Sequence, residues 1–187
     1  MSRAETTDRL LEAAIRLGVE RGGGALSLQG IATTAGVSKA LLLYHFGDKT
    51  DLLLRVAERL GLRSAERLSA AVAAGDPLSA WRELVRSELS SGHVALLAAL
   101  GQERGASDPP PAVRAAASAR EDAAMRLAAS ILAAVDLEPR VPHRFIGRML
   151  VRHLDGLAVA GAHIPFASAE LEAELDTFTI ALLGFGR

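Results

Sequence analysis

The stretch Leu26 to Phe46 reads Leu-Ser-Leu-Gln-Gly-Ile-Ala-Thr-Thr-Ala-Gly-Val-Ser-Lys-Ala-Leu-Leu-Leu-Tyr-His-Phe, and its spacing predicts two short helices joined by a tight turn. Ser27 can cap the first helix by accepting orphan N–H groups at its start. Ile31, Ala32 and Ala35 then share an inward face, with Ala32 small enough for a close helix crossing. Gly36 stands where the chain leaves that helix and needs the positive φ that glycine adopts freely. Val37 fills the corner and Ser38 caps the second helix. Leu42 and Phe46 point back to the first helix, while Lys39, Ala40, Leu41 and Tyr44 face outward. Taken singly, these features fit any helical hairpin. Their joint spacing predicts a helix-turn-helix, whose outward-facing second helix enters the major groove of double-stranded DNA.

Around this unit the pattern is helical throughout. A first helix over Asp8 to Arg21 turns Leu10, Leu11, Ala14, Ile15 and Leu17 inward and stops at Gly22-Gly23-Gly24. A fourth, capped by Asp48 or Thr50, runs to about Val72 on a stripe of Leu52, Leu53, Val56, Leu60 and Leu68. Further helices are expected over Pro77–Ser90, His93–Arg104, Ala112–Val135, Pro142–His163 and Ser168–Leu183, with a proline-rich loop over residues 105–111. In the Ala112–Val135 segment, Val113, Ala117, Ala124, Leu127, Ile131 and Val135 form the expected apolar stripe. The expected fold is all-α with about nine helices: a DNA-binding domain over residues 1–47, and a larger helical domain over 48–187 for ligand binding and dimerisation.

Within this layout, Leu10-Leu11-Glu12-Ala13-Ala14, Glu20-Arg21-Gly22, Ile31-Ala32, Ala35-Gly36-Val37-Ser38-Lys39 and Tyr44-His45-Phe46 followed by Asp48-Lys49 resemble the tetracycline-repressor (TetR) family of bacterial transcriptional regulators. The resemblance runs from about Thr7 to Leu54. It implies that Lys39, Ala40, Leu41 and Tyr44 meet bases or nearby backbone, and that Thr7, Ser38, His45 and Lys49 lie near phosphates. The chemistry agrees: a lysine suits guanine or phosphate, a leucine a thymine methyl, and a helix N-terminus an anion. Tyr44 also has a plainer reading, as a hydrophobic plug. Three positions depart from the family pattern. Leu43 replaces a common phosphate-touching tyrosine, Gly18 replaces a large aromatic residue, and Gly30 leaves Ser27 without a capping-box partner.

The same resemblance implies a small-molecule effector pocket in the second domain, for which Trp81, Leu97, Gln102, Met125, Met149 and His153 are candidates; with few polar residues on inward faces, the expected effector is apolar. It also implies a homodimer built on the last two helices. Leu171, Leu175, Phe178, Leu182 and Phe185 repeat at spacings of four and three, and Gly156, Ala160 and Gly161 offer close approach on the preceding helix. Dimer candidates are therefore Gly156, Ala160, Leu171, Leu175, Phe178 and Leu182, although periodicity alone does not separate an interface from an internal core.

Composition bounds the remaining possibilities. The chain has 187 residues, no cysteine and a net charge of −1. Residues 1–63 carry nine Lys/Arg against seven Asp/Glu, and the remainder twelve against fifteen, so positive charge gathers at the reading end. The absence of an apolar leader or spanning run predicts a soluble cytoplasmic protein with no membrane partner. His153, Asp155 and His163 are ill-spaced for a shared metal, since a gap of two turns residues to different helix faces. No nucleophile and base pattern or phosphate-cradling loop is present, so neither an enzyme nor a cofactor is expected. The competing readings are a helical enzyme or carrier that shares the hairpin, and a regulator working mainly through protein partners.

Overall fold

The structure, a computed structural model, describes residues 2–103, 108–163 and 166–187. Of the expected loop over 105–111, residues 105–107 lie outside these, as does Arg104. Nine α-helices follow one another among the described residues: α1 (Arg3–Arg21), α2 (Leu28–Ala35), α3 (Lys39–Phe46), α4 (Lys49–Val72), α5 (Pro77–Ser91), α6 (His93–Glu103), α7 (Pro111–Ala133), α8 (His143–His163) and α9 (Ser168–Leu183). None is long and apolar enough to cross a membrane. Helix α1 begins five residues before the expected Asp8. Ser2 accepts from the Glu5 amide at 3.1 Å while the Glu5 carboxylate accepts from the Ser2 amide at 2.7 Å, a reciprocal capping box.

Two buried clusters organise the helices. The first joins α1, α2 and α3 through Leu10, Leu17, Ile31, Leu42 and Phe46, and then continues into Leu52, Val56 and Leu60 of α4 and Leu96 and Leu100 of α6. The packing of the reading head thus runs past the boundary expected at 47/48. The second cluster fills the bundle of α4, α5, α7, α8 and α9 around Trp81, Val85, Leu127, Leu150, Leu154 and Leu175. Helix α6 belongs to both regions.

This arrangement explains Gly18. A Cβ there would lie 2.8 Å from both terminal methyls of Leu96, so the residue is small because α6 seats its leucine against α1. Gly30 is similarly crowded: a Cβ would stand 3.3 Å from Leu17. At the α7–α8 crossing, a Cβ on Gly147 would approach the Met125 backbone to 2.8 Å.

The stripe expected on α7 is shifted. Ala117 and Val135 are exposed, and Ala116, Arg120 and Ala123 turn inward instead. Arg120, 5% exposed, is held there by Asp155 of α8, at 2.5 and 3.1 Å, and donates from Nε to Ser64 of α4 at 2.8 Å. A second polar link to α4 joins Arg67 to the buried Glu88 of α5 at 2.7 Å and to Nδ1 of His93 at 3.0 Å. Both links pair charges that would otherwise be costly to bury, although Glu88 Oε1 keeps no hydrogen-bond partner among the described residues. An isolated antiparallel bridge between Pro139 and Gly186 ties the C-terminal tail to the α7–α8 loop.

Candidate nucleic-acid interface

Three short-range devices fix the reading helix. Ser27 Oγ accepts from the Gly30 amide at 3.0 Å and starts α2. Gly36 adopts φ 65°, closing α2 and letting the Val37 amide reach the Ala32 carbonyl at 3.0 Å. Ser38 Oγ then accepts from the Leu41 amide at 3.1 Å, starting α3. Leu42 and Phe46 sink into the first cluster, and this decides which side of α3 stays open.

On that open side lie Ser38, Lys39, Ala40, Leu41 and Tyr44, all exposed, with Lys49 exposed as the first residue of α4. Tyr44 is 68% exposed, so it is not a hydrophobic plug. Its ring instead carries the Arg3 guanidinium 5.4 Å from the ring centroid, a cation–π contact. Thr7 and His45 are half-buried and meet each other, Thr7 Oγ1 lying 3.0 Å from His45 Nδ1 and donating to the Arg3 carbonyl at 3.0 Å. Since a hydroxyl carries one proton, a Thr7 that donates to Arg3 receives the His45 contact as an acceptor. The eight expected contact residues thus gather on one face made by α3 and the starts of α1 and α4. Leu43, the departure from the family pattern, is half-buried at the edge of that face. Sequence reasoning missed Arg3, although the Ser2 and Glu5 capping box was there to extend α1 back to it.

The six residues expected in an effector pocket do not converge. Trp81 is fully buried in the bundle core, 5.6 Å from the Phe178 ring, while His153 stacks on the other side of Phe178 at 3.9 Å. Burial pushes the His153 imidazole below its ordinary pKa. Met149 and His153 share an open cleft with Phe145 and Arg152. Leu97 packs on the reading-head cluster, and Met125 presents its backbone to Gly147. Only Gln102 reaches the cavity of about 680 Å³ between α6, α8 and the start of α9.

The dimer candidates also divide. Leu175, Phe178 and Leu182 lie inside the chain's own core, and Leu171 packs half-buried against it, so that seam holds α9 to the bundle. Gly156 and Ala160 remain exposed on α8, as do Ala173, Thr177 and a 72% exposed Ile180 on α9. Of the three residues considered for a metal, Asp155 pairs with Arg120 and lines one cavity with His163, whose Nδ1 donates to the Val159 carbonyl at 2.8 Å, while His153 stacks on Phe178.

Fold and site together define an all-α protein with a helix-turn-helix head on a helical bundle. Residues 10–56 match the family model described as bacterial regulatory proteins, tetR family. Over these residues, the helix-turn-helix head and the start of α4, the chain is similar to that family. Over 89 residues it is 36% identical to the HTH-type transcriptional regulator AcrR of Shigella flexneri, a match spanning 46% of this chain and 41% of that relative. Among solved structures, a structural-genomics chain from Rhodococcus sp. RHA1 superposes with a TM-score of 0.79 at 21% identity, with 96% of each chain covered. A TetR transcription regulator from Haloarcula marismortui superposes at 0.73 and 19% identity, covering 98% of this chain and 100% of its own. At these identities the two structures speak for the shared fold.

Proposed function

We propose that this chain is a ligand-responsive transcriptional regulator, a repressor, that binds a palindromic operator in double-stranded DNA as a homodimer. The observation that carries the reading is the open side of α3, where Lys39, Ala40, Leu41 and Tyr44 stand clear of the core near Ser38, Thr7, His45 and Lys49. Base edges would meet the first group and phosphates the second. Arg3, stacked on Tyr44, joins the cationic rim. Residues 1–47 are the DNA-binding domain and 48–187 the effector-binding and dimerisation domain, and the protein acts in the cytoplasm by binding, without catalysis.

Two reading helices per complex are needed because half-sites lie about 34–36 Å apart, one DNA turn. The dimer face in this proposal is the exposed surface of Gly156 and Ala160 on α8 with Ala173, Thr177 and Ile180 on α9, where the small Gly156, Ala160 and Ala173 allow two pairs of α8 and α9 to approach closely. The effector, bound in the second domain, favours a conformer whose reading helices no longer match that spacing. It does so only to the extent that it binds this conformer more tightly.

Selection of genomic fragments by the purified protein tests the proposal. Enrichment of a palindrome with half-sites one turn apart, lost on combining Lys39→Ala with Tyr44→Ala, is the expected result. Binding that never exceeds that of bulk DNA, or is indifferent to both substitutions, overturns it.

A further inference from the structure

The cavity between α6, α8 and the start of α9 has a floor that is apolar and a rim that accepts hydrogen bonds. Ala98 of α6, Val159 of α8 and Phe166 supply hydrocarbon and one aromatic ring. Around them stand the carboxylates of Asp155 and Glu170. The imidazole of His163 adds a third acceptor in its neutral form, in which an Nδ1 proton given to the Val159 carbonyl leaves a lone pair on Nε2. Among the described residues no lysine or arginine lines the space. Arg120, the nearest guanidinium behind Asp155, is buried and occupied by Asp155 and Ser64. Asp155 still keeps a third of its side chain exposed to solvent.

We propose that this cavity is the effector site and that it takes an apolar molecule bearing a protonated amine. This inference rests on the regulator reading above and names the chemistry of its ligand. The hydrocarbon body lies on Ala98, Val159 and Phe166, and the ammonium donates to Asp155, Glu170 and His163 Nε2, none of which accepts from another cavity-lining side chain among the described residues. An anionic ligand would face two carboxylates. In the single chain the cavity is open, and the exposed Gly156 and Ala160 are among its lining residues. A second copy seated on those residues would roof it, so the site is complete in the dimer.

Two physical connections lead from this cavity to the reading head. On the α6 wall, Ala98 and Gln102 alternate with Leu96 and Leu100, which are buried in the head's own core against α1. A ligand that displaces α6 therefore moves residues that seat α1. On the α8 wall, Asp155 holds Arg120, which holds Ser64 in the middle of α4, the helix that follows α3 directly. An ammonium drawn to Asp155 competes with that guanidinium for the same oxygens.

Calorimetric titration of the full-length protein with naphthylmethylamine, and with the uncharged naphthylmethanol of nearly the same shape, is the test. The amine is expected to bind about tenfold more tightly or better, the worth of one charge-assisted hydrogen bond. Glu170→Gln, an exposed change, should shrink that preference, and Ala98→Trp should remove binding of both probes. Equal affinity for amine and alcohol, or a preference unchanged in Glu170→Gln, overturns the proposal even if Ala98→Trp fails to fold. In a second arm the amine is added to the operator complex, and dissociation is expected. Tight, amine-selective binding that leaves the complex intact overturns the effector role. Failure to bind any DNA fragment would sink the regulator reading instead, with the calorimetric arm still deciding the cavity.

Discussion

At the residue scale, Gly18 carries the most information, because its neighbour in space is seventy-eight positions away. Against the family pattern it reads as a lost aromatic and a helix weakened by about 1 kcal/mol relative to alanine. In the fold it is the seat for Leu96, which is 2% exposed and brings α6 into the core of the head. No local signal announces that partner, so the vacancy was legible and its occupant was not. The expected outcome for Gly18→Leu is a loss of about 1–3 kcal/mol by overpacking. Leu96→Ala alone should cost about 2–5 kcal/mol as a buried cavity. Combined, the two should cost less than their sum, since the new leucine can occupy the space of the old one. Urea unfolding of the four proteins checks this, and simple additivity would show that the two residues do not share the space.

At the element scale, helix boundaries were readable because their chemistry is local. Serine and aspartate caps, glycines with positive φ and prolines at first turns fixed most ends to within two residues, as at Ser27, Gly36, Ser38 and Asp48. The faces of α2 and α3 were equally legible, since eight-residue helices with two or three buried side chains leave little ambiguity. Faces in the bundle were harder. About half of α7 is alanine or serine, and three alanines run together at 115–117, so periodicity could not decide between Ala116 and Ala117, and the buried Arg120 broke the apolar pattern that a sequence reading follows. On α9 the leucine and phenylalanine seam was seen correctly as a seam, but whether it faced the same chain or another depended on packing. The α7–α8 crossing offers a direct test of how close these helices lie. Gly147→Ala drives a methyl toward the Met125 backbone, which cannot rotate away, and should cost about 3 kcal/mol, the upper end for overpacking. Gly156→Ala on the same helix meets open space within the chain and should be neutral or slightly stabilising to it. Melting temperatures of the two variants would separate these outcomes.

At the scale of the whole molecule, head and bundle are joined through α4 and α6, and titratable groups sit on or beside both. Burial first, and then the Arg67 guanidinium, hold His93 at the start of α6 below its ordinary pKa of 6.5; Arg63 acts in the same sense, while Glu88 and Glu12 oppose it. Burial does the same to His153, against the opposing charge of Glu174 on α9, with Arg148 and Arg152 of its own helix lining the adjoining cleft. Both rings therefore favour the neutral form when folded, and the unfolded chain binds more protons than the folded one just below pH 6.5. Stability from this source is complete above that value and is lost as pH falls toward the folded pKa values. A carboxylate loss lies in a separate, more acidic window: the Arg86 and Arg82 guanidinium groups hold Glu172 below its ordinary 4.5, so its contribution persists until pH falls through the lowered value. Thermal unfolding at about pH 7.5 and about pH 5.5 isolates the histidines, because Glu172 stays ionised across that interval. The melting temperature should drop on acidification, and the drop should shrink in His153→Phe, whose ring keeps the stack on Phe178 without a group to protonate. A drop of the same size in that variant would assign the loss to His93 and its link to α4, and the absence of any drop would mean that neither ring resists protonation.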